Sequence, residues 1–162
     1  MRCLGLLCEY FIATDDATAA SIAEWPSGPS QPPESRGWRR GVLDPLPTVH
    51  AGGIEPVVLL AILEGLLTGR DDGDLIDGNA ARQVSKGNRG EPMVFGTSDA
   101  LIDALATATG DQTSTVSVRW AEAEEFDGMA DPAELTRGLT QLAGLAREAR
   151  RANARVYCWM SL

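Results

Sequence analysis

Between Trp120 and Asp127 the chain reads Trp-Ala-Glu-Ala-Glu-Glu-Phe-Asp, with four carboxylates and two aromatic rings in eight residues. Carboxylates this close can divide acid and base roles between them. The same set (Trp120, Glu122, Glu124, Glu125, Phe126 and Asp127) can instead meet an arginine-rich partner, the rings as anchors and the acids as rim. The plainest reading is one wet face beside one packed ring. All three stay open at this level.

A second group gathers around His50. It is the only histidine, so zinc sites and Ser–His or Cys–His catalysis must run through it or not at all. It precedes Gly52-Gly53, and Arg39 and Arg40 lie shortly upstream. With the polar loop Arg70–Pro92 these residues outline an alternative pocket: Arg39, Arg40, His50.

Three short motifs suggest ligands and then fail or stay ambiguous. Asp72-Gly73-Asp74-Leu75-Ile76 begins like a calcium loop, but Ile76 stands at position five and Gln83 at twelve, where oxygen donors are needed. Gly87-Asn88-Arg89-Gly90 follows Lys86, yet Glu91-Pro92 comes next where a phosphate loop needs Gly-Lys-Ser/Thr. Phe95-Gly96-Thr97-Ser98 opens a helix and could cradle an anion with its free N–H groups. Ser98 as an ordinary cap explains the same residues. No metal or cofactor is expected.

Charge narrows the partners. The 162 residues carry a formal net charge of −9 and a pI near 4.5. Nucleic-acid backbones and anionic membranes call for cationic surface, so neither is an expected partner; a basic protein is. Thirteen arginines stand against one lysine, Lys86. The three cysteines, Cys3, Cys8 and Cys158, lack metal spacing and fit buried thiols in a reducing compartment. Met1–Phe11 is apolar but carries Arg2 and Glu9 and has no cleavage site, so no leader is expected. The longest other apolar run, Pro56–Leu67, is too short to span a bilayer. A cytoplasmic protein is expected. At this length the default is one domain, with roughly 70% of the unfolded surface buried.

The elements that must position these residues are plainest at the C-terminus. Asp131-Pro132 starts a helix, with a capping carboxylate and a proline whose missing N–H costs nothing there. Leu135, Leu139, Leu142, Ala143, Leu145, Ala146 and Ala149 then form one apolar stripe. The run Val156-Tyr157-Cys158-Trp159-Met160 is too apolar to be left in water, each such side chain being worth about 1.5–3 kcal/mol when buried. It belongs inside a sheet. Arg2–Ile12 reads as the first strand, and Thr14–Trp25 as a short capped helix. Pro26–Gly37 is a Pro/Ser/Gly-rich surface loop. The prolines at 45 and 47 confine the next segment to an edge strand or extended packing. Ile54–Thr68 is a helix apolar on most sides, with Gly69 as its stop. The run 70–92 is a polar loop or holds a short helix near Asp77–Gln83. Met93–Phe95 is a strand, and a helix from Ser98 stops at Gly110. Thr113–Trp120 alternates like a half-buried strand, or leads into a helix.

The opening MRCLGLLCEYF, the helix ending LLTG, the later DALIDALATA and the closing VYCWMSL together resemble the YfbM-like family of small uncharacterised bacterial proteins. The loop 26–37 and the acidic segment 120–127 have no counterpart in that pattern. The resemblance implies a small cytoplasmic α+β fold with no established activity, and it carries over no functional residue. The expectation is therefore a single α+β domain, 1–162. It has a mixed sheet of about four to five strands packed against three to four helices, with the N- and C-terminal strands inside the sheet. The leading functional expectation is a non-enzymatic acidic module binding a basic partner, for instance an immunity- or inhibitor-type protein. The rival is a small enzyme or ligand-binding protein with a pocket near His50 and the 70–92 loop.

Overall fold

The computed structural model describes residues 5–33, 45–78, 80–87 and 90–162. It is an α+β fold built on one five-stranded sheet in the order β2-β1-β5-β4-β3. The strands are β1 (Leu7–Ala13), β2 (Thr48–His50), β3 (Arg82–Gln83), β4 (Met93–Gly96) and β5 (Arg155–Ser161). Every pairing is antiparallel, so the sheet is not mixed as the sequence suggested. The six α-helices among the described residues also exceed the three or four expected. They are α1 (Asp16–Ser21), α2 (Leu59–Thr68), α3 (Asp72–Asp77), α4 (Asp99–Thr107), α5 (Gly110–Trp120) and α6 (Pro132–Arg151).

The closing strand lies at the centre, and its sequence explains why. β5 pairs with β1 from Arg155↔Ala13 to Ser161↔Leu7, and with β4 on its other side. Its alternate side chains therefore enter two different cores. Val156 and Cys158 face the larger one, with Cys8, Tyr10 and Val49 and the leucines of α2, α4 and α6. Tyr157 and Trp159 face the smaller one, with Phe11, Val94, Ala19 and Ile22. A strand apolar on both faces reads as an unbroken apolar run, as this one does. The Trp159 Nε1–H is buried with no hydrogen-bond partner among the described residues.

The stripe on α6 is buried at all seven expected positions. Asp131 caps it by accepting the Ala133 N–H, with Pro132 at the first helical position. It is α6 that lies against β1, β2 and β5, while α2 packs on α3, α4 and α5. The apolar α2 is thus one layer further from the sheet than its composition suggests. Its N-terminus is closed by Glu55, whose carboxylate accepts the N–H groups of Val57, Val58 and Leu59.

Two helix boundaries differ from the sequence reading. The short helix of the 70–92 run is α3, capped by Asp71 and ending at Asp77, upstream of the segment expected to hold it. Residues 113–120 are helical. The Thr109–Gln112 capping box begins α5, so Gly110 opens this helix and does not end α4. Thr113, Val116, Ser117 and Trp120 are its buried face, at spacings of three, one and three, and Val118 is left in water. The two-residue alternation was a coincidence of composition, and the cap decided the outcome. Cys8 and Cys158 are buried free thiols; Cys3 and the residues 34–44 of the Pro-rich loop and its continuation lie outside the described residues.

Candidate functional site

The acidic segment sits where α5 hands over to α6. Trp120 ends α5 and is wholly buried, its Nε1–H donating to the Leu59 carbonyl at 3.0 Å. A ring this covered cannot anchor a partner, so Trp120 leaves the set of partner-contact residues. The reason is helical geometry: Trp120 shares a face with Thr113 and Val116 and must point inward with them. Phe126 stacks edge-on against it, with centroids 5.5 Å apart at 79°, and keeps its outer edge half-exposed. Around it Glu122, Glu124, Glu125 and Asp127 are all exposed. Asp127 and Gly128, at φ 51° and 70°, reverse the chain towards the α6 cap.

The turn forms one wall of a cavity of about 330 Å³. His50, Phe126, Met129, Asp131, Glu134 and Leu135 line it. Met129 is 67% exposed, an unusual position for a thioether on an acidic surface. From Ala121 to Thr136 the chain holds six carboxylates and no lysine or arginine. Sequence reasoning stopped this run at Asp127. It continues through Asp131 and Glu134, which also serve α6 as its cap and as the acid of its first turn. The arrangement offers an apolar slot in a negative surface, suited to a cationic segment with one apolar side chain.

His50 belongs to a different arrangement. Its Nδ1 lies 3.3 Å from Oε1 of Glu9, a buried carboxylate across the β1–β2 ladder. Ser30 donates to the same carboxylate through its backbone N–H (3.1 Å) and its hydroxyl (2.9 Å). The carboxylate stands between serine and histidine. In a nucleophilic relay the imidazole must stand between, so that it can take the hydroxyl proton. Here the group ties the loop 28–30 to the sheet. Gly28 completes it: at φ +83° it brings the loop so close that a Cβ there would lie 2.8 Å from Glu9 Oε2.

The alternative pocket of the sequence reading therefore divides. Arg39 and Arg40 lie outside the described residues. The loop 70–92 supplies walls to another cavity, of about 260 Å³, whose lining includes Arg70, Asp74 and Arg82 but not His50. The chain from Thr97 to Asp99 and Arg155 close that cavity. Sequence reasoning named the Phe95–Ser98 turn but missed Arg82 and Arg155. Neither stands near that turn in the chain, and only the β3–β4–β5 ladders bring them there. No group of three or more potential metal-ligating side chains occurs among the described residues, and no helix there is long and apolar enough to cross a membrane. Compared with family models, curated proteins and solved structures, the chain matches none of them.

Proposed function

We propose that this chain is a protein-interaction module. Its acidic pole takes a basic segment of a partner and seats one apolar side chain of that segment between Phe126, Met129 and Leu135. One observation carries the reading: the exposed Met129 and the half-buried Phe126 line a cavity inside the cation-free run of the chain that holds the most carboxylates. Surface acids alone would keep the protein soluble. Acids around an apolar slot supply both halves of an interface, steering by charge and desolvation at a centre. An immunity- or inhibitor-type protein that masks a basic partner is the concrete form this takes. The resemblance to the YfbM-like family offers no activity to set against it. A hydrolytic or ligand-converting centre at His50 has less support, since the carboxylate in contact with it, Glu9, is tied up by Ser30.

The test uses fluorescence anisotropy with a synthetic arginine-rich peptide carrying one central leucine. A second peptide replaces the leucine by serine, and a third replaces the arginines by glutamates. The first should bind, the second several-fold more weakly and the third not at all. Binding should weaken as salt rises through the physiological range, where the Debye length falls to about 8 Å. The triple variant Glu122→Lys, Glu124→Lys, Glu125→Lys should abolish it without unfolding the protein, since all three side chains are exposed. Equal binding by parent and triple variant, or no preference for leucine over serine, would sink the reading.

A further inference from the structure

A second pole is where the guanidiniums gather. Arg70, Arg82 and Arg155 line the same cavity of about 260 Å³. They come from the loop after α2, from the edge strand β3 and from the start of the central strand β5. For a chain of net charge −9, three guanidiniums on one cavity is a local gathering of cations, set among the carboxylates of Asp74 and Asp99 on the same walls. Of the other cavities, those beside Met129 and in the α2–α4–α5 groove have no arginine in their linings, and the one beside α1 has Lys86 with Glu24 and Glu91.

Each guanidinium is held from one side. Asp16 grips Arg82 with two bonds of 2.7 and 2.9 Å, and itself accepts the Tyr157 hydroxyl at 2.8 Å. Arg155 Nη2 lies 3.8 Å from Asp99. Arg70 Nη1 lies 3.4 Å from Glu64, a carboxylate only 1% exposed that also accepts the Ser98 hydroxyl at 3.1 Å. A guanidinium has five N–H donors in a rigid fork, so the two short bonds fix the direction of Arg82, the single contacts draw Arg70 and Arg155 to the same cavity, and donors are left over on each. Fixing the fork in advance removes part of the ordering cost that binding would otherwise carry. The Arg82 guanidinium, and after it the Tyr157 hydroxyl, hold Asp16 at a pKa of about 2, so the grip persists down to low pH. The nine-residue helix α4 starts at the same cavity, with Thr97, Ser98 and Asp99 among its walls. Its positive end adds to the arginines.

We infer that the cavity between Arg70, Arg82 and Arg155 at the start of α4 binds the phosphoryl group of a small, polar phosphorylated metabolite. Planar forks matched to a tetrahedral oxyanion favour phosphate over a single halide charge. The volume lies just under the range of about 300–1,000 Å³ usual for ligand pockets, so the ligand is small and no dinucleotide. Asp74 and Asp99 on the walls oppose a bare anion but accept hydroxyl or amine hydrogens. The ligand body therefore carries such groups, as a sugar phosphate does. This inference does not depend on the acidic pole, and either can fail alone.

Calorimetric titration of the full chain uses three probes: inorganic phosphate, a hexose monophosphate and the unphosphorylated hexose. The hexose phosphate should bind best, phosphate more weakly and the hexose not measurably. Arg155→Gln and Arg70→Gln should each weaken the hexose phosphate at least tenfold, with the thermal midpoint little changed because both side chains are about half exposed. Amide resonances of Asp99 and Ala100 should shift on titration. Four results would overturn the inference: no saturable binding up to about 10 mM, ten times a millimolar Kd; equal binding of sugar and sugar phosphate; affinities unmoved in both arginine variants; or phosphate binding tighter than hexose phosphate, which would mark an adventitious ion only.

Discussion

The two poles of this molecule are built in opposite ways. The acidic groove is nearly continuous in sequence: a helix end, a turn and the next helix start supply most of its walls within Phe126–Gly138. The arginine cavity is assembled from segments up to 85 residues apart, Arg70 to Arg155. The first is a surface laid over a packed ring. The second is a set of guanidiniums, one of them pinned by a carboxylate, at the end of a sheet. A continuous site can be altered one residue at a time with the fold intact. A discontinuous one depends on strand register, and its residues mean nothing until the strands are paired.

The largest expected effect lies beneath the acidic pole. Trp120 is fully buried in the main core, donates to the Leu59 carbonyl and supports Phe126. Trp120→Ala should cost about 3–5 kcal/mol, the usual range for emptying a buried aromatic site, and should also loosen the turn at Phe126. Trp120→Phe keeps most of the packing and loses the indole N–H bond to the Leu59 carbonyl, which the α2 ladder still pairs, at about 0.5–1.5 kcal/mol. Urea unfolding of both variants measures this. If Trp120→Ala unfolds at the parent's midpoint, the ring is a surface anchor after all, and the contrast between a laid-on groove and an assembled cavity loses its footing.

What the sequence disclosed follows the same contrast. The α6 stripe and the central β5 strand were legible because their patterns are local and their burial is one-sided or total. So was the edge position of β2, because prolines 45 and 47 forbid a ladder in that approach. The burial of Trp120 was not legible, because Thr113–Trp120 fits both a two-residue and a helical period, and only the Thr109–Gln112 cap separates them. The all-antiparallel pairing could not be read from composition. The Arg82–Asp16 pair spans 66 residues, and nothing in either local sequence refers to the other. His50 was legible as chemistry but not as part of a tie, since Glu9 stands on a strand read only as apolar and Ser30 and Gly28 come from a loop read only as Pro/Ser/Gly-rich.

That tie gives the next effect. Gly28 has φ +83°, and a side chain there meets the Glu9 carboxylate at 2.8 Å. Gly28→Ala combines left-handed strain of about 1–2 kcal/mol with displacement of a carboxylate held by Ser30. A loss of about 2 kcal/mol is expected, with hydrogen exchange quickened at the Ser30 amide, which donates to Glu9. Peptide binding at the acidic groove should fall little, because Glu9 lies outside its walls. A variant as stable as the parent would show that the Glu9 group carries no structural load, and would reopen a functional role for His50.

The smallest effect separates the poles most cleanly. Asp16 has its pKa lowered from 3.8 to about 2, first by Arg82 and then by the Tyr157 hydroxyl. Tyr157 is pushed up from 10.0 to about 12 by burial and then by Asp16. A lowered acid contributes stability that is present above its unfolded pKa and lost as pH falls, here between about 4 and 2. A raised tyrosine contributes stability that is present below about pH 10 and lost as pH climbs towards 12. Asp16→Asn should therefore flatten the acid limb and shrink the alkaline one, where burial of Tyr157 still acts. The Asp16 side chain is 44% exposed, so solvent screening limits its pair with Arg82 to about 1 kcal/mol or less at neutral pH. Denaturation curves at pH 5, 3 and 2, run on parent and variant, measure the difference; an acid limb unchanged in the variant would mean that Asp16 does not hold Arg82. With the fork released, hexose phosphate should bind several-fold more weakly at the arginine cavity, while the leucine-bearing cationic peptide at the far pole should bind as tightly as before.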